Sequence, residues 1–67
     1  MKEISNEQAE ILIDSFANNT EIIGQLDKNL GNCRVVSIEK GVCRVINDNG
    51  QTEDYINPFF NKNIINK

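Results

Sequence analysis

Residues 33–56, CRVVSIEKGVCRVINDNGQTEDYI, decide the fold. Two runs rich in Val and Ile, Cys33 to Glu39 and Val42 to Asn47, flank the dipeptide Lys40-Gly41. A two-residue connection that offers glycine for a positive φ is typical of a tight β-hairpin. The sequence therefore predicts a hairpin over residues 33–47.

The hairpin turn also predicts which side chains share a face of the sheet. Counting outward from the turn sets Val36 opposite Val45 and Ile38 opposite Cys43, on an apolar face that we assign to the core. Cys33 then lies on the other face, whereas a disulfide requires Cβ atoms within about 4.5 Å of each other. We therefore expect two free thiols, with Cys43 in the core and Cys33 more exposed.

Residues 47–51, NDNGQ, carry the strongest turn signal in the chain. A type I turn followed by Gly50 in the left-handed region would set Arg44 opposite Asp54. A tighter turn at Asn49-Gly50 would instead place Asp54 beside Val45. We prefer the bulged turn because it pairs Arg44 with a carboxylate and keeps that carboxylate off the apolar face. The same register pairs Asn47 with Gln51, Cys43 with Tyr55, and Val42 with Ile56.

Pro58 ends the third strand, because proline has no N–H to donate to a sheet. We place a single small domain over residues 1–58 and a C-terminal tail over residues 59–67. The tail contains Phe59-Phe60 and Ile64-Ile65 among polar residues. Two interpretations are open: these apolar side chains fold back over the core, or they are available to a partner.

The first helix begins with a capping box, in which the Ser5 hydroxyl and the Gln8 side chain each accept a hydrogen bond from the other residue's backbone N–H. Apolar side chains then recur at helical spacing and predict one core face. Ile11 falls on the opposite side of this helix, so it is a candidate contact residue. The predicted core face consists of Ala9, Leu12, Ile13, Phe16 and Ala17.

Asn18-Asn19 tolerates the left-handed conformation that ends a helix, so we expect the first helix to end there. The signals after Asn19 conflict. Apolar residues at helical spacing and a glycine at position 31 favour a second helix over residues 20–30. Against it, Ile22-Ile23 is β-branched, and Gly24 costs a helix about 1 kcal/mol relative to Ala. The alternatives are one long helix bent at Asn19, or the first strand of a small barrel. We predict an α+β fold: two N-terminal helices, or one bent helix, packed on a three-stranded antiparallel β-meander.

The length of the chain limits how it can be stabilised. A chain of 67 residues buries only about 60% of the surface that it exposes when unfolded. We expect no metal and no other cofactor, because the chain has no His and its two cysteines do not form a CxxC pair. Self-association, as a homo-oligomer, or docking on a larger protein is the remaining means of stabilisation.

Charge and hydropathy exclude further classes of protein. The net charge of −3 and pI near 4.7 argue against coating extended nucleic acid, which depends on Lys and Arg. No stretch approaches the roughly 18 apolar residues of a membrane span, and no signal peptide is apparent, so we expect a cytoplasmic protein. Abundant Asn and Ile and an excess of Lys over Arg are typical of AT-rich genomes, which indicates a low-GC bacterium or its phage.

The residues that catalysis requires are missing from the sequence. The chain has no His to act as a general base, no nucleophile with an adjacent base, and no glycine-rich phosphate loop. The adjacent carboxylates Glu53-Asp54 lie on a predicted strand, where neighbouring side chains point apart. We therefore do not expect an enzyme.

The sheet face opposite the helices is the main candidate interface. Its apolar residues, mixed with Arg44 and Asp54, need a cover, which a second copy of the chain or the tail with Phe59 and Phe60 could supply. The candidate interface residues are Ile11, Val35, Val42, Ile46, Ile56, Phe59 and Phe60.

A ligand site is the alternative, since a guanidinium and an aromatic ring could hold the phosphate and base of a nucleotide. Residues 42–55, VCRVINDNGQTEDY, are similar to the hairpins of small SH3-like barrels, including Tudor and KOW modules. The resemblance covers about a fifth of the chain and transfers no functional residue. The candidate ligand-binding residues are Arg34, Lys40, Arg44 and Tyr55.

The sequence therefore favours a non-enzymatic binding module that acts by protein–protein contact or sequestration, such as a small inhibitor or adaptor from a phage or mobile element. A nucleotide or nucleic-acid binder built on a small SH3-like sheet is the alternative. A structural component of a larger assembly is a third possibility, which differs from the first only in permanence.

Overall fold

The computed structural model describes residues 1–23, 26 and 30–62. The elements in this part of the chain are β1 (Lys2–Glu3), α1 (Asn6–Asn18), β2 (Glu21–Ile22), β3 (Cys33–Glu39), β4 (Val42–Asn47), β5 (Thr52–Ile56) and α2 (Phe59–Lys62). One main helix packs on a five-stranded mixed sheet with the strand order β1-β5-β4-β3-β2. The α+β class is as predicted, while the number of strands and helices differs in detail. Neither described helix combines the length and apolar character that crossing a membrane would require.

Helix α1 begins and ends with the predicted local interactions. The Ser5 Oγ accepts a hydrogen bond from the Gln8 N–H at 3.1 Å, and the Gln8 Oε1 accepts one from the Ser5 N–H at 3.4 Å. At the other end, Asn19 adopts the left-handed conformation with φ 57° and ψ 47°. The capping box and the position of the helix end are confirmed.

The core face of α1 is rotated relative to the prediction. Ala9 and Leu12 are fully buried, but Ser15 is also buried, whereas Phe16 is 40% exposed and Ala17 is exposed. The prediction that Phe16 and Ala17 lie in the core is therefore wrong. The physical reason lies after the helix, where the chain folds back against the Ser15 side.

The segment after α1 turns into a strand instead of a second helix. The Ser15 Oγ donates to the Thr20 carbonyl at 2.5 Å, and the Thr20 N–H donates to the Ser15 carbonyl at 3.0 Å. These bonds reverse the chain, and Glu21–Ile22 then pairs with β3 in antiparallel fashion. A second helix starting at Thr20 and a long helix bent at Asn19 are both wrong; the strand alternative is correct for these residues. Residues 24–25 and 27–29 lie outside the described residues.

The β3–β4 hairpin has the predicted strands and turn. Lys40 and Gly41 have φ values of 54° and 79°, as a tight two-residue turn requires. The pairs next to the turn agree with the prediction, namely Glu39 with Val42, Ile38 with Cys43 and Ser37 with Arg44.

A β-bulge at Val36 changes the register beyond these pairs. The ladder is irregular between Val35 and Ser37, and Val35 lies opposite Val45. The predictions that Val36 faces Val45 and that Val35 lies on the other face of the sheet are therefore wrong. Val35 belongs to the core, and Val36 is 50% exposed.

The bulge also moves Cys33 to the core side of the sheet, so the prediction that Cys33 is the more exposed thiol is wrong. Both cysteines are free, as predicted, but for a different reason. Cys33 pairs with Asn47 and Cys43 pairs with Ile38. The thiols therefore share a face but lie four positions apart along β4, which corresponds to about 13 Å.

The β4–β5 hairpin has the predicted bulged register throughout. Arg44 pairs with Asp54, and Gly50 has a φ of 84°. The Asn47 side chain organises the turn, since its Oδ1 accepts from the N–H groups of Asn49 at 3.0 Å and Gln51 at 2.8 Å. The predicted pairs of Cys43 with Tyr55 and Val42 with Ile56 are confirmed.

Two short edge strands extend the predicted three-stranded meander to five strands. β1 pairs in parallel with β5, and β2 lies at the opposite edge beside β3. The Asn57 Nδ2 supports the first pairing by donating to the Ile4 carbonyl at 2.7 Å and to the Asn6 Oδ1 at 3.2 Å. A strand of two residues shows no alternation of apolar and polar side chains, so the sequence pattern does not reveal it.

The core lies between α1 and the inner face of the sheet, and α2 contributes to it. Phe60 is fully buried and Phe59 is half-buried, so the beginning of the tail folds back over the core. The α2 helix lies near the β3–β4 turn, because a Cβ atom at Gly41 would be 3.1 Å from the Asn61 Nδ2. Ile64-Ile65 lies outside the described residues. The buried apolar cluster consists of Ala9, Leu12, Ile22, Cys33, Val35, Cys43, Val45, Tyr55 and Phe60.

Candidate binding surfaces

The face of the sheet turned away from α1, here called the outer face, carries part of the predicted interface. Its apolar residues are Val36, which is half exposed, and Val42, Ile46 and Ile56, which are half-buried. Among the described residues, none of these four belongs to the core cluster or packs against it. Val36 lies in the bulge and has no partner in the register. On β3, β4 and β5 the register assigns to the outer face Arg34, Ser37, Glu39, Val42, Arg44, Ile46, Thr52, Asp54 and Ile56, and on the edge strands it adds Glu21 and Glu3.

The outer face is arranged in three rows across strands β3, β4 and β5. On β3, the row nearest the β3–β4 turn carries the Glu39 carboxylate, and the row farthest from this turn carries the Arg34 guanidinium, which is flanked by Glu21 of the edge strand β2. The strands β4 and β5 add two aliphatic side chains to the first of these rows and one to the second. The rows are Glu39, Val42 and Ile56; Ser37, Arg44 and Asp54; and Arg34, Ile46 and Thr52.

A bidentate ion pair occupies the middle row. The Arg44 Nε and Nη2 donate to the two Asp54 carboxylate oxygens at 2.8 and 3.0 Å, with 55% and 24% of the respective side chains exposed. These hydrogen bonds raise the pKa of Arg44 and lower the pKa of Asp54. The apolar residues of the outer face are therefore divided by a charge-neutral pair.

A groove lies elsewhere, between α1 and the edge strand β2. Its volume is about 350 Å³. Ile11 of the helix is 49% exposed, and Ile23, which follows β2, is 62% exposed. The lining residues are Ile11, Asp14, Ser15, Asn18, Thr20, Glu21, Ile22 and Ile23.

Sequence reasoning identified only one side of this groove. It singled out Ile11, which is exposed as predicted, but assigned Ile23 to a second helix. The adjacent Ile22-Ile23 pair was the available signal, because neighbouring side chains on an extended segment point to opposite sides. Since Ile22 is buried, Ile23 is left at the surface.

The four candidate ligand-binding residues do not come together. Tyr55 is buried on the core side of the sheet, and Arg44 is engaged by Asp54 on the outer face. Arg34 and Lys40 lie at opposite ends of β3, and the Arg34 Nη1 donates to the Asn19 carbonyl at 3.5 Å. The geometry therefore gives no joint phosphate and base site to this set of residues.

Three of the candidate interface residues take part in the core instead. Val35 and Phe60 are buried, and Phe59 packs against the core cluster. Ile11, Val42, Ile46 and Ile56 remain at the surface, divided between the groove and the outer face. The predicted interface is thus two separate surfaces.

The two thiols are buried and are held in the protonated form. Burial, and to a smaller extent Glu21, raises the pKa of Cys33. Burial, followed by the Cys33 and Asp54 charges, raises the pKa of Cys43 to about 12. In the part of the chain that the structure describes, no three His, Cys, Asp or Glu residues are grouped so that they could hold a metal ion.

Comparison of the chain with protein-family models, with curated proteins and with solved structures finds no match.

Proposed function

We propose that the protein is a non-enzymatic binding module that acts by protein–protein contact, and that its outer face binds the outer face of a second copy. The observation that carries this proposal is the self-complementary order of the rows. One end of the outer face presents Glu39 beside Val42, and the other end presents Arg34 beside Ile46. A two-fold axis between two copies would bring the Glu39 end of each outer face against the Arg34 end of the other.

The pairing register predicts which residues would face each other in this contact. An axis that crosses the strands at the level of the middle row would place Glu39 against Arg34 of the second copy, and Val42 against Ile46 of the second copy. Both contacts would occur twice. The two sheets would pack with their strands nearly aligned, within the crossing of about 30° that twisted sheets adopt.

The central ion pair is compatible with this contact. Burying an unpaired charge would be costly, but Arg44 is already bonded to Asp54 through two hydrogen bonds. The same axis would place Arg44 opposite Arg44 of the second copy and Asp54 opposite Asp54 of the second copy. The middle row therefore adds no net charge to the contact, and its facing like charges are a further reason to expect weak association.

The area of the outer face determines the affinity that we expect for the dimer. The contact would involve three strands spaced about 4.8 Å apart, with a length of about 13 Å on each strand. The area that it buries is below the ~800 Å² that each partner of a stable complex buries. Such an interface belongs to the weak and transient class. We expect a dimer with a Kd in the micromolar range or weaker.

A charge swap tests the proposed dimer. Sedimentation equilibrium from micromolar to millimolar protein should show that Arg34→Glu and Glu39→Arg each weaken association at least about tenfold, because each variant opposes like charges. The double variant restores the opposite charges across the contact and should dimerise as the unmodified chain does.

Glu7→Arg is the matched control, because Glu7 is exposed on α1 and lies outside the outer face. It changes the net charge by the same amount as Glu39→Arg and should leave association unchanged. A monomer at millimolar concentration, or a double variant that associates no better than either single variant, would refute the proposal.

A further inference from the structure

We infer that the groove between α1 and β2 is a second binding site, and that its ligand is a protein segment with apolar side chains flanked by Lys or Arg. This inference goes beyond self-association, because Glu21 is the only one of the groove residues that the strand register also assigns to the outer face.

The shape of the groove favours side chains of a single segment over a folded surface. A volume of about 350 Å³ is at the lower end of the ~300–1,000 Å³ typical of ligand sites. Ile11 of α1 and Ile23, which follows β2, both line the groove, together with the buried Ile22. Ile11 and Ile23 are each about half exposed or more, so an inserted aliphatic side chain would remove apolar surface of both from water.

The charge around the groove selects a cationic segment. Asp14 and Glu21 line it, and Glu7 and Glu10 lie exposed on the same helix. The sequence of α1 contains no Lys or Arg. Four of the ten acidic residues of the chain therefore lie on α1 or line the groove. Lys or Arg beside an apolar residue would be attracted here, and phosphate groups would be repelled.

Of the two arginines, Arg34 lies at the Glu21 end of this rim. It is the cross-strand partner of Glu21, and its guanidinium donates to the carbonyl of Asn19, which adjoins the lining residues Asn18 and Thr20. Arg44 is bonded to Asp54. An external cation is therefore the better match for Asp14 than any described Arg of the same chain.

The position of β2 suggests how a segment could be held. β2 is the last strand of the sheet, so within the described residues one edge of Glu21–Ile22 has no neighbouring strand. An extended segment could add backbone hydrogen bonds along that edge while its alternate side chains enter the groove. The ligand is therefore an extended basic and apolar segment.

The test uses the full chain and three fluorescent peptides, with alternating Lys and Leu, alternating Glu and Leu, or alternating Lys and Ser. The Lys and Leu peptide should bind, as followed by fluorescence anisotropy, and should shift the backbone NMR signals of Ile11, Asp14 and Ile22. The other two peptides should bind at least about tenfold more weakly, since each lacks one of the two required features.

Two substitutions of exposed apolar residues distinguish binding in the groove from nonspecific hydrophobic binding. Ile23→Ser should weaken binding of the Lys and Leu peptide at least about tenfold. Phe16→Ser is the matched control, because Phe16 is 40% exposed on α1 but does not line the groove. This control should bind normally.

Equal binding of the Glu and Leu or the Lys and Ser peptide, or equal loss in Ile23→Ser and Phe16→Ser, would overturn the inference. NMR shifts confined to the outer face would also overturn it. Glu39→Arg separates the two proposals, because Glu39 lies at the end of β3 away from β2: it should weaken self-association at least about tenfold and leave peptide binding intact.

Discussion

The two hairpins that share β4 differ in how far their turns determine strand pairing. In the β4–β5 hairpin, the turn at residues 47–51 sets every pair from Ile46 with Thr52 to Val42 with Ile56. In the β3–β4 hairpin, the turn sets only the nearest pairs, and the bulge at Val36 shifts the rest. A turn therefore determines register locally, and the rest of the molecule can change it a few residues away.

The reason for the bulge is visible in the residues that it moves. A regular ladder would place Arg34 on the core side together with Val36, and would turn Cys33 and Val35 outward. Burying an unpaired guanidinium is far more costly than one irregularity in a ladder. The bulge keeps Arg34 exposed and buries Cys33 and Val35.

Aspartate substitution at the two neighbouring valines should have the largest effect and tests the bulge directly. Val35→Asp should destabilise the protein by about 3–5 kcal/mol, because it leaves a charge unpaired in the core. Val36→Asp should change stability by no more than about 0.5 kcal/mol, as expected at an exposed site. Urea unfolding followed by circular dichroism measures both, and the reverse order of effects would support the regular ladder.

Alanine substitution of the glycine in each turn compares how strongly the two hairpins depend on their turns. Gly41→Ala and Gly50→Ala should each cost about 1–2 kcal/mol, because both glycines have positive φ. Gly41→Ala should cost more, since its Cβ would be 3.1 Å from the Asn61 Nδ2, whereas the space at Gly50 is open. The excess should disappear when Gly41→Ala is measured in an Asn61→Ala background; an excess that persists would contradict this explanation.

Alkaline pH tests the burial of the thiols that the bulge brings to one face. The pKa of Cys43 is raised from 9.0 to about 12, so between these values the unfolded chain loses a proton that the folded chain retains. The free energy of unfolding should be constant with respect to this group below pH 9 and fall by about 1.4 kcal/mol per pH unit above it.

Urea titrations at several pH values, on the unmodified chain and on Cys43→Ala, would isolate the contribution of this thiol. The alkaline decrease should be smaller in the variant. The same decrease in both proteins would show that Cys43 is not its source.

Among the substitutions expected to destabilise the protein, the smallest effect is expected at the Arg44–Asp54 pair, which lies in the hairpin whose register the turn already determines. The pKa of Asp54 is lowered by its hydrogen bonds to Arg44, so its contribution is present above the ordinary carboxyl pKa of about 4. The contribution is lost as the pH falls through the lowered value in the folded protein. Because the Arg44 side chain is 55% exposed and the Asp54 side chain 24% exposed, solvent screens the pair, and Asp54→Asn should change stability at neutral pH less than any substitution above except Val36→Asp. Loss of the β4–β5 amide cross-peaks in this variant would show that the pair, and not the turn, holds the register.

The candidate surfaces were predictable to different degrees. Val42, Ile46 and Ile56 could be placed on the outer face because they follow the two turns by simple alternation. The groove could not be predicted, since it depends on how β2 returns along α1. Ile11 was an isolated exposed residue in the sequence, and only the fold brings it near Ile23.

The sequence by itself determined the capping box of α1, the bounds of β3 and β4, the register of β5 against β4, and both hairpin turns. These features depend on side chains within a few residues of the backbone groups that they control, such as Asn47 and the N–H groups of Asn49 and Gln51. The tertiary structure decided the bulge at Val36, the rotation of the helix core face toward Ser15, and the short strands β1 and β2. Each of these features depends on contacts between segments that are distant in the sequence. The local preferences of a segment do not identify the segment that it will contact.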